Sequence, residues 1–242
     1  MEGQRGVSGE TVIMGDEMKN LKRILIISLM VVIFCFIMAV IDGVWQADYA
    51  VKSAIKFVMF LGFPAIYTLF NKDLNFKPLF KVNKQGMKLA LGLGVAVYVV
   101  ILGGYLLLKD VFDFSSITKS LTEGIGVNGK NFIFVSIYIS FVNSLMEEFF
   151  FRGFAFLTLK KVATRRFAYL FSSGIFALYH IAMMIGWFSP IVFVIVMLVL
   201  FVGGLLFDFL NEKTGTVYPS WLVHMFANFA INTVGIILFG II

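Results

Sequence analysis

Two adjacent carboxylates and an arginine, Glu147, Glu148 and Arg152, stand inside the otherwise apolar stretch from Asn143 to Gly153. A charged side chain at the centre of a bilayer costs roughly 2.5–3.5 kcal/mol on insertion scales, so such residues face a protein interior or a wet cavity and usually carry function. At helical spacing Glu148 and Arg152 share a face and can form an ion pair, whereas Glu147 points about 100° away and stays free to face a cavity. Asn143, one turn before Glu147, can hydrogen-bond to it. The chain has only two histidines. His180 follows Phe176 by four residues, and His224 precedes Asn228 by four, so each pair shares a helix face. A carboxylate, two imidazoles and a carboxamide are the groups that activate a water, hold a metal ion or stabilise an oxyanion. A lone Glu-Arg pair is as often a folding device and a lone histidine more often a packing residue; it is their joint occurrence that points to a polar catalytic or ion site.

These residues need helices to carry them. The chain of 242 residues is 60% hydrophobic and 14% charged, far from the soluble average of about 25% charged. The reading is an all-α, polytopic membrane helix bundle with about seven transmembrane helices, since about 20 apolar residues cross the hydrocarbon core. Residues 1–23 are expected to be a cytoplasmic, mobile tail, and 24–242 the integral membrane domain, with a motif-bearing core over about 131–242. Helices are expected over about 24–45, 51–70, 87–108, 131–159, 167–185, 190–210 and 217 to the end. Lys52 and Lys56 read as residues that snorkel outward, Leu79-Phe80 as an amphipathic turn at the interface, and 109–130 as a solvent-exposed loop. Glu147, His180 and His224 fall about 7–13 residues from the ends taken as cytoplasmic, roughly 10–20 Å deep, so they share one layer in the cytoplasmic half.

The net charge of +6 comes from basic loops, read as topology signals and not as a nucleic-acid surface. They put the N-terminus in the cytoplasm. A single cysteine, Cys35, excludes an intrachain disulfide.

In order and spacing, Glu147-Glu148 with Arg152, Phe176 with His180, and His224 with Asn228 resemble the CAAX protease and bacteriocin-processing (CPBP, Abi) family of intramembrane proteases. The resemblance covers about 143–228 and implies an intramembrane endopeptidase that hydrolyses a peptide bond in a cavity opening toward the cytoplasm. In the roles it implies, Glu147 and His180 activate water, His224 and Asn228 form the oxyanion hole, and Glu148, Arg152 and Phe176 support them. It implies a membrane-associated peptide or lipidated-peptide substrate, with membrane lipids as surroundings and no nucleic acid, while the composition, short loops and absence of organelle signals point to a bacterial cytoplasmic membrane. The favoured chemistry needs no cofactor, with Zn2+ on Glu147, His180 and His224 as the open alternative.

Other intramembrane proteases fit poorly, since His-Glu-x-x-His and Gly-x-Gly-Asp are absent. Two non-protease classes remain: a bacteriocin-immunity or peptide-binding membrane protein, and a proton- or metal-coupled transporter. No inverted repeat supports the transporter.

Overall fold

A computed structural model describes residues 3–241. Among these, seven helices are long and apolar enough to cross a membrane: α1 (Gly15–Trp45), α2 (Tyr49–Phe70), α3 (Lys84–Leu108), α4 (Phe132–Val162), α5 (Arg165–Met184), α6 (Pro190–Thr214) and α7 (Tyr218–Leu238). Helices satisfy every backbone donor and acceptor internally, which hydrocarbon demands. Apart from the start of α1, the expected boundaries hold to within a few residues. The helix starts carry ordinary stop and start chemistry: Asp48 accepts from Ala50 N and Val51 N, Asn83 from Gly86 N and Thr164 from Phe167 N. Gly215, with φ 70°, closes α6 in the left-handed conformation that glycine adopts without strain.

Three connections differ from the sequence reading. The polar segment expected as a tail over 1–23 is helical from Gly3, continuous with α1, while residues 1 and 2 lie outside the described part. Once the apolar helix exists, propagation outward adds a hydrogen bond per residue with no new nucleus. The 109–130 segment is not a plain loop either, because Ser115–Ile125 forms a helix. Leu79 is buried against Phe149 and Val217 and accepts a backbone hydrogen bond from Val217 N. Leu79 therefore plugs the α4–α7 junction, while Lys77, Pro78 and Phe80 of the same turn are exposed.

At one end of the bundle, ion pairs tie the elements together. Arg23 of α1 makes a two-pronged contact with Asp73 at 2.6 and 2.9 Å and holds that carboxyl below its ordinary range. Lys160, Arg165 and Tyr169 all converge on Glu212, linking the ends of α4, α5 and α6. In the interior, contact between helices rests on small residues. A Cβ on Gly94 would fall 2.6 Å from the Phe226 ring, seating α3 against α7, and one on Gly204 would lie 3.0 Å from Ser173 Cα, so α6 runs hard against α5.

Candidate active site

α4 is not a regular α-helix where it matters. Its turns widen to the π form over Ile139–Asn143 and Glu148–Phe156, and α2 does the same over Val58–Gly62. Such widened turns occur often at functional sites because they re-aim side chains. They bracket Glu147 on α4 and follow Lys56 on α2.

Glu147 is buried, and its partner is one the sequence reading assigned elsewhere. Lys56, expected to snorkel, is only 3% exposed. Its ammonium pairs with Glu147 Oε1 and donates to Asn143 Oδ1 at 2.6 Å. Asn143 Nδ2 in turn donates to Glu147 Oε1 at 3.1 Å, closing a three-residue ring. The rings of Tyr179 and Phe60 lie 5.0 and 5.3 Å from the ammonium. Lys52 is also buried, paired with Asp42 of α1. Neither lysine turns outward; each pairs with a buried carboxylate within its own reach.

Glu148 and Arg152 form the expected pair, with Nη1 to Oε1 at 3.4 Å, and both are fully buried. The guanidinium has a second carboxylate partner, Asp208 of α6, with Nε to Oδ1 at 3.6 Å. The rings of Phe176 and Phe207 lie 4.1 and 5.0 Å from its central carbon. Asp208 accepts 2.9 Å hydrogen bonds from Ser172 and Ser173 on α5. The close approach at Gly204 is what brings α6 near enough for that. Asp208 escaped the sequence reading, although a lone carboxylate inside an apolar run is the same signal that singled out Glu147.

Both histidines have their tautomers fixed. His180 Nδ1 lies 2.7 Å from the Phe176 carbonyl, which can only accept, so Nδ1 carries a proton and Nε2 of the neutral ring carries a lone pair. His224 Nδ1 lies 2.9 Å from Glu148 Oε1, and the same argument protonates it. Its Nε2 lies 3.7 Å from Glu147 Oε2, so His224 bridges the two glutamates. Phe176 touches both imidazoles, edge-on, at 4.7 and 6.0 Å between centroids. Phe207 stacks on His224 at 5.4 Å. Tyr179 contacts His180 and lies under the Lys56 ammonium, which draws the end of α5 to the Glu147 ring of contacts.

Asn228 follows His224 by one turn and donates to the Ile139 carbonyl at 3.3 Å, an oxygen in a widened turn of α4. One amide hydrogen remains for another acceptor. Next along α7, Asn232 donates to Ser140 Oγ at 2.9 Å. The structure thus gathers Glu147, Glu148, Arg152, Phe176, His180, His224 and Asn228 between α4, α5 and α7, and adds Lys56 and Asp208.

Along the chain, Glu147 stands near the middle of α4, His180 close to the end of α5 and His224 near the start of α7. On α4 the polar Ser136, Ser140 and Asn143 precede Glu147, whereas a dry block of Phe149, Phe150, Phe151, Phe154 and Phe156 follows it.

The residues do not fit a metal ion as they stand. Among the described residues no three His, Cys, Asp or Glu side chains are grouped to hold one, and Glu147 Oε1 is occupied by an ammonium, a cation that repels another.

Residues 129–230 match the family model described as Rce1-like, type II CAAX prenyl endopeptidase. No curated protein and no solved structure matches the chain. The matched segment takes in every residue of the three motifs, from Glu147 to Asn228, and leaves out Lys56 and the whole of α1–α3.

Proposed function

From the match of this segment to the CAAX protease family, we propose that the chain is an intramembrane endopeptidase in which Glu147 and His180 activate a water without a metal. The observation that carries this reading is the pair of imidazoles tied back through Nδ1, with His224 Nε2 turned toward Glu147.

The proposed steps follow from the charges available. Glu147 and the Nε2 lone pair of His180 take a proton from water, whose oxygen attacks the scissile carbonyl carbon. The carbonyl oxygen becomes an oxyanion, held by Asn228 Nδ2–H and by His224. With Nδ1–H already given to Glu148, His224 donates through Nε2 only as an imidazolium, a charge that Glu148 supports at 2.9 Å. Collapse of the intermediate breaks the C–N bond, and the proton held by the Glu147–His180 pair passes to the leaving amine. Arg152, whose charge lies between those of Glu148 and Asp208, balances the Glu148 carboxylate that faces His224.

A membrane-associated peptide, lipidated or not, is the substrate class we propose. Basic residues at the α1 start and in the 2–3, 4–5 and 6–7 connections support a cytoplasmic N-terminus in a bacterial membrane. Glu148, Arg152, Asp208, Asn211 and Ser220 are sealed at 0% exposure, while Ser53, Asn143 and Asn232 keep some accessible surface. The substrate is therefore read as approaching from the end formed by residues 46–48, 109–131 and 185–189. That differs from the cytoplasmic opening expected from the sequence, because the phenylalanine block of α4 fills the other side.

The test is mass-spectrometric detection of cleavage of prenylated and plain membrane-anchored peptides by purified, reconstituted protein, with a chelator arm and Glu147→Gln and His180→Ala variants. Cleavage that survives chelator and vanishes in both variants is expected. Chelator-sensitive cleavage would restore the zinc reading, and peptide binding without cleavage the immunity or binding reading.

A further inference from the structure

We propose that Lys56 is a positioning residue of this site, an internal cation that keeps Glu147 a carboxylate and leaves only its Oε2 free for chemistry. The proposal rests on the reading of Glu147 as the base, and it concerns a residue outside the family-matched segment.

Three observations support it. The first is the closed ring of contacts. Lys56 Nζ donates both to Glu147 Oε1 and to Asn143 Oδ1, and Asn143 Nδ2 donates to the same Oε1. Two donors on one oxygen fix the rotation of the carboxylate and direct Oε2 toward His224 Nε2.

The second is that the charge is committed to Glu147. Lys52, one turn earlier on α2, is neutralised by Asp42, and Arg152 is shared between Glu148 and Asp208. Among the described residues, Lys56 is thus the cation with a side-chain contact to Glu147, apart from His224 when that ring is charged. Buried to 3% exposure at a pair flanked by the rings of Phe60 and Tyr179, an isolated carboxylate would take up a proton rather than stay charged. A protonated Glu147 could not accept one from water.

The third is that a simpler structural role is poorly served. The interior already has a cross-helix charge cluster in Glu148, Arg152 and Asp208, which joins α4 to α6. An ammonium buried to 3% exposure costs several kcal/mol to desolvate, so an apolar residue at position 56 would hold α2 to α4 at lower cost.

The experiment compares wild type with Lys56→Met and Lys56→Ala in detergent, measuring kcat and KM, thermal stability, and the labelling of Glu147 by dicyclohexylcarbodiimide, a reagent for protonated carboxyls in apolar surroundings. For Lys56→Met, kcat is expected to fall about 100-fold or more with KM nearly unchanged, and Glu147 to become labelled where wild type is not. Added ethylamine should restore a large part of the activity of Lys56→Ala and protect Glu147 again. A kcat close to wild type per folded molecule, or Glu147 equally unlabelled in both proteins, overturns the proposal and leaves Lys56 a structural pair. If wild type cleaves no peptide, the proposed function fails by itself, and the labelling comparison still decides the role of Lys56.

Discussion

Replacing Arg152 by alanine should be the most destabilising single change in the site. The guanidinium is fully buried and stands between Glu148 at 3.4 Å and Asp208 at 3.6 Å, so its loss strands two carboxylates in an apolar interior. Breaking a buried pair by removing one partner costs about 3–5 kcal/mol. The contacts with Phe176 and Phe207 add about 1–2 kcal/mol when desolvated, and a cavity opens between the rings. A chain of this size loses about 2–4 °C of melting temperature per kcal/mol, so a total of about 4–7 kcal/mol gives an expected fall of about 8–28 °C by scanning fluorimetry in detergent. The triple variant Arg152→Met, Glu148→Gln, Asp208→Asn removes all the charge while keeping the volume, and it should recover most of the loss. It should recover no activity, because a neutral amide at position 148 no longer supports a charged His224. A melting temperature for Arg152→Ala within about 2 °C of wild type, or a triple variant as unstable as the single one, would refute the argument that these charges balance one another.

Glu147→Ala and Glu147→Gln should both abolish peptide cleavage yet separate in stability, since alanine strands the Lys56 ammonium while glutamine still accepts its hydrogen bond; melting curves of the two test this. Asn228→Ala is expected to lower kcat by about 100- to 1000-fold, the worth of an oxyanion-hole donor, with little change in KM or melting temperature, because its bond to the Ile139 carbonyl is long at 3.3 Å. Cysteine placed at Ser53 should react with a water-soluble maleimide much faster than cysteine at Ser172, which is sealed at 0% exposure; comparable rates would remove the argument for the side of approach. Gly204→Val should detach α6 from Ser173 and destabilise the Asp208 cluster, lowering stability and activity together.

The bundle was legible because apolar runs of membrane length leave few alternatives, and the motif residues were legible because charges in such runs are expensive and therefore few. Lys56 and Asp208 show where that legibility ends. Both are charges in apolar helices, yet a lysine near a helix start can snorkel or turn inward, and sequence spacing says nothing about a partner on another helix. The contact between Lys56 and Glu147 spans 91 positions, and that between Arg152 and Asp208 crosses from α4 to α6; each depends on how helices pack, down to the absence of a side chain at Gly204. The first widened turn of α4 is equally silent in the sequence, since no proline or glycine lies in Ile139–Asn143 to announce it. Both widened stretches turn the side chains around Glu147 while leaving Glu148 and Arg152 in reach of one another, so the local pairing read from spacing survives and the environment of the base does not follow from it. The motif residues could be named from α4, α5 and α7 alone, but the cation paired with Glu147 comes from α2, a helix whose sequence carries no motif.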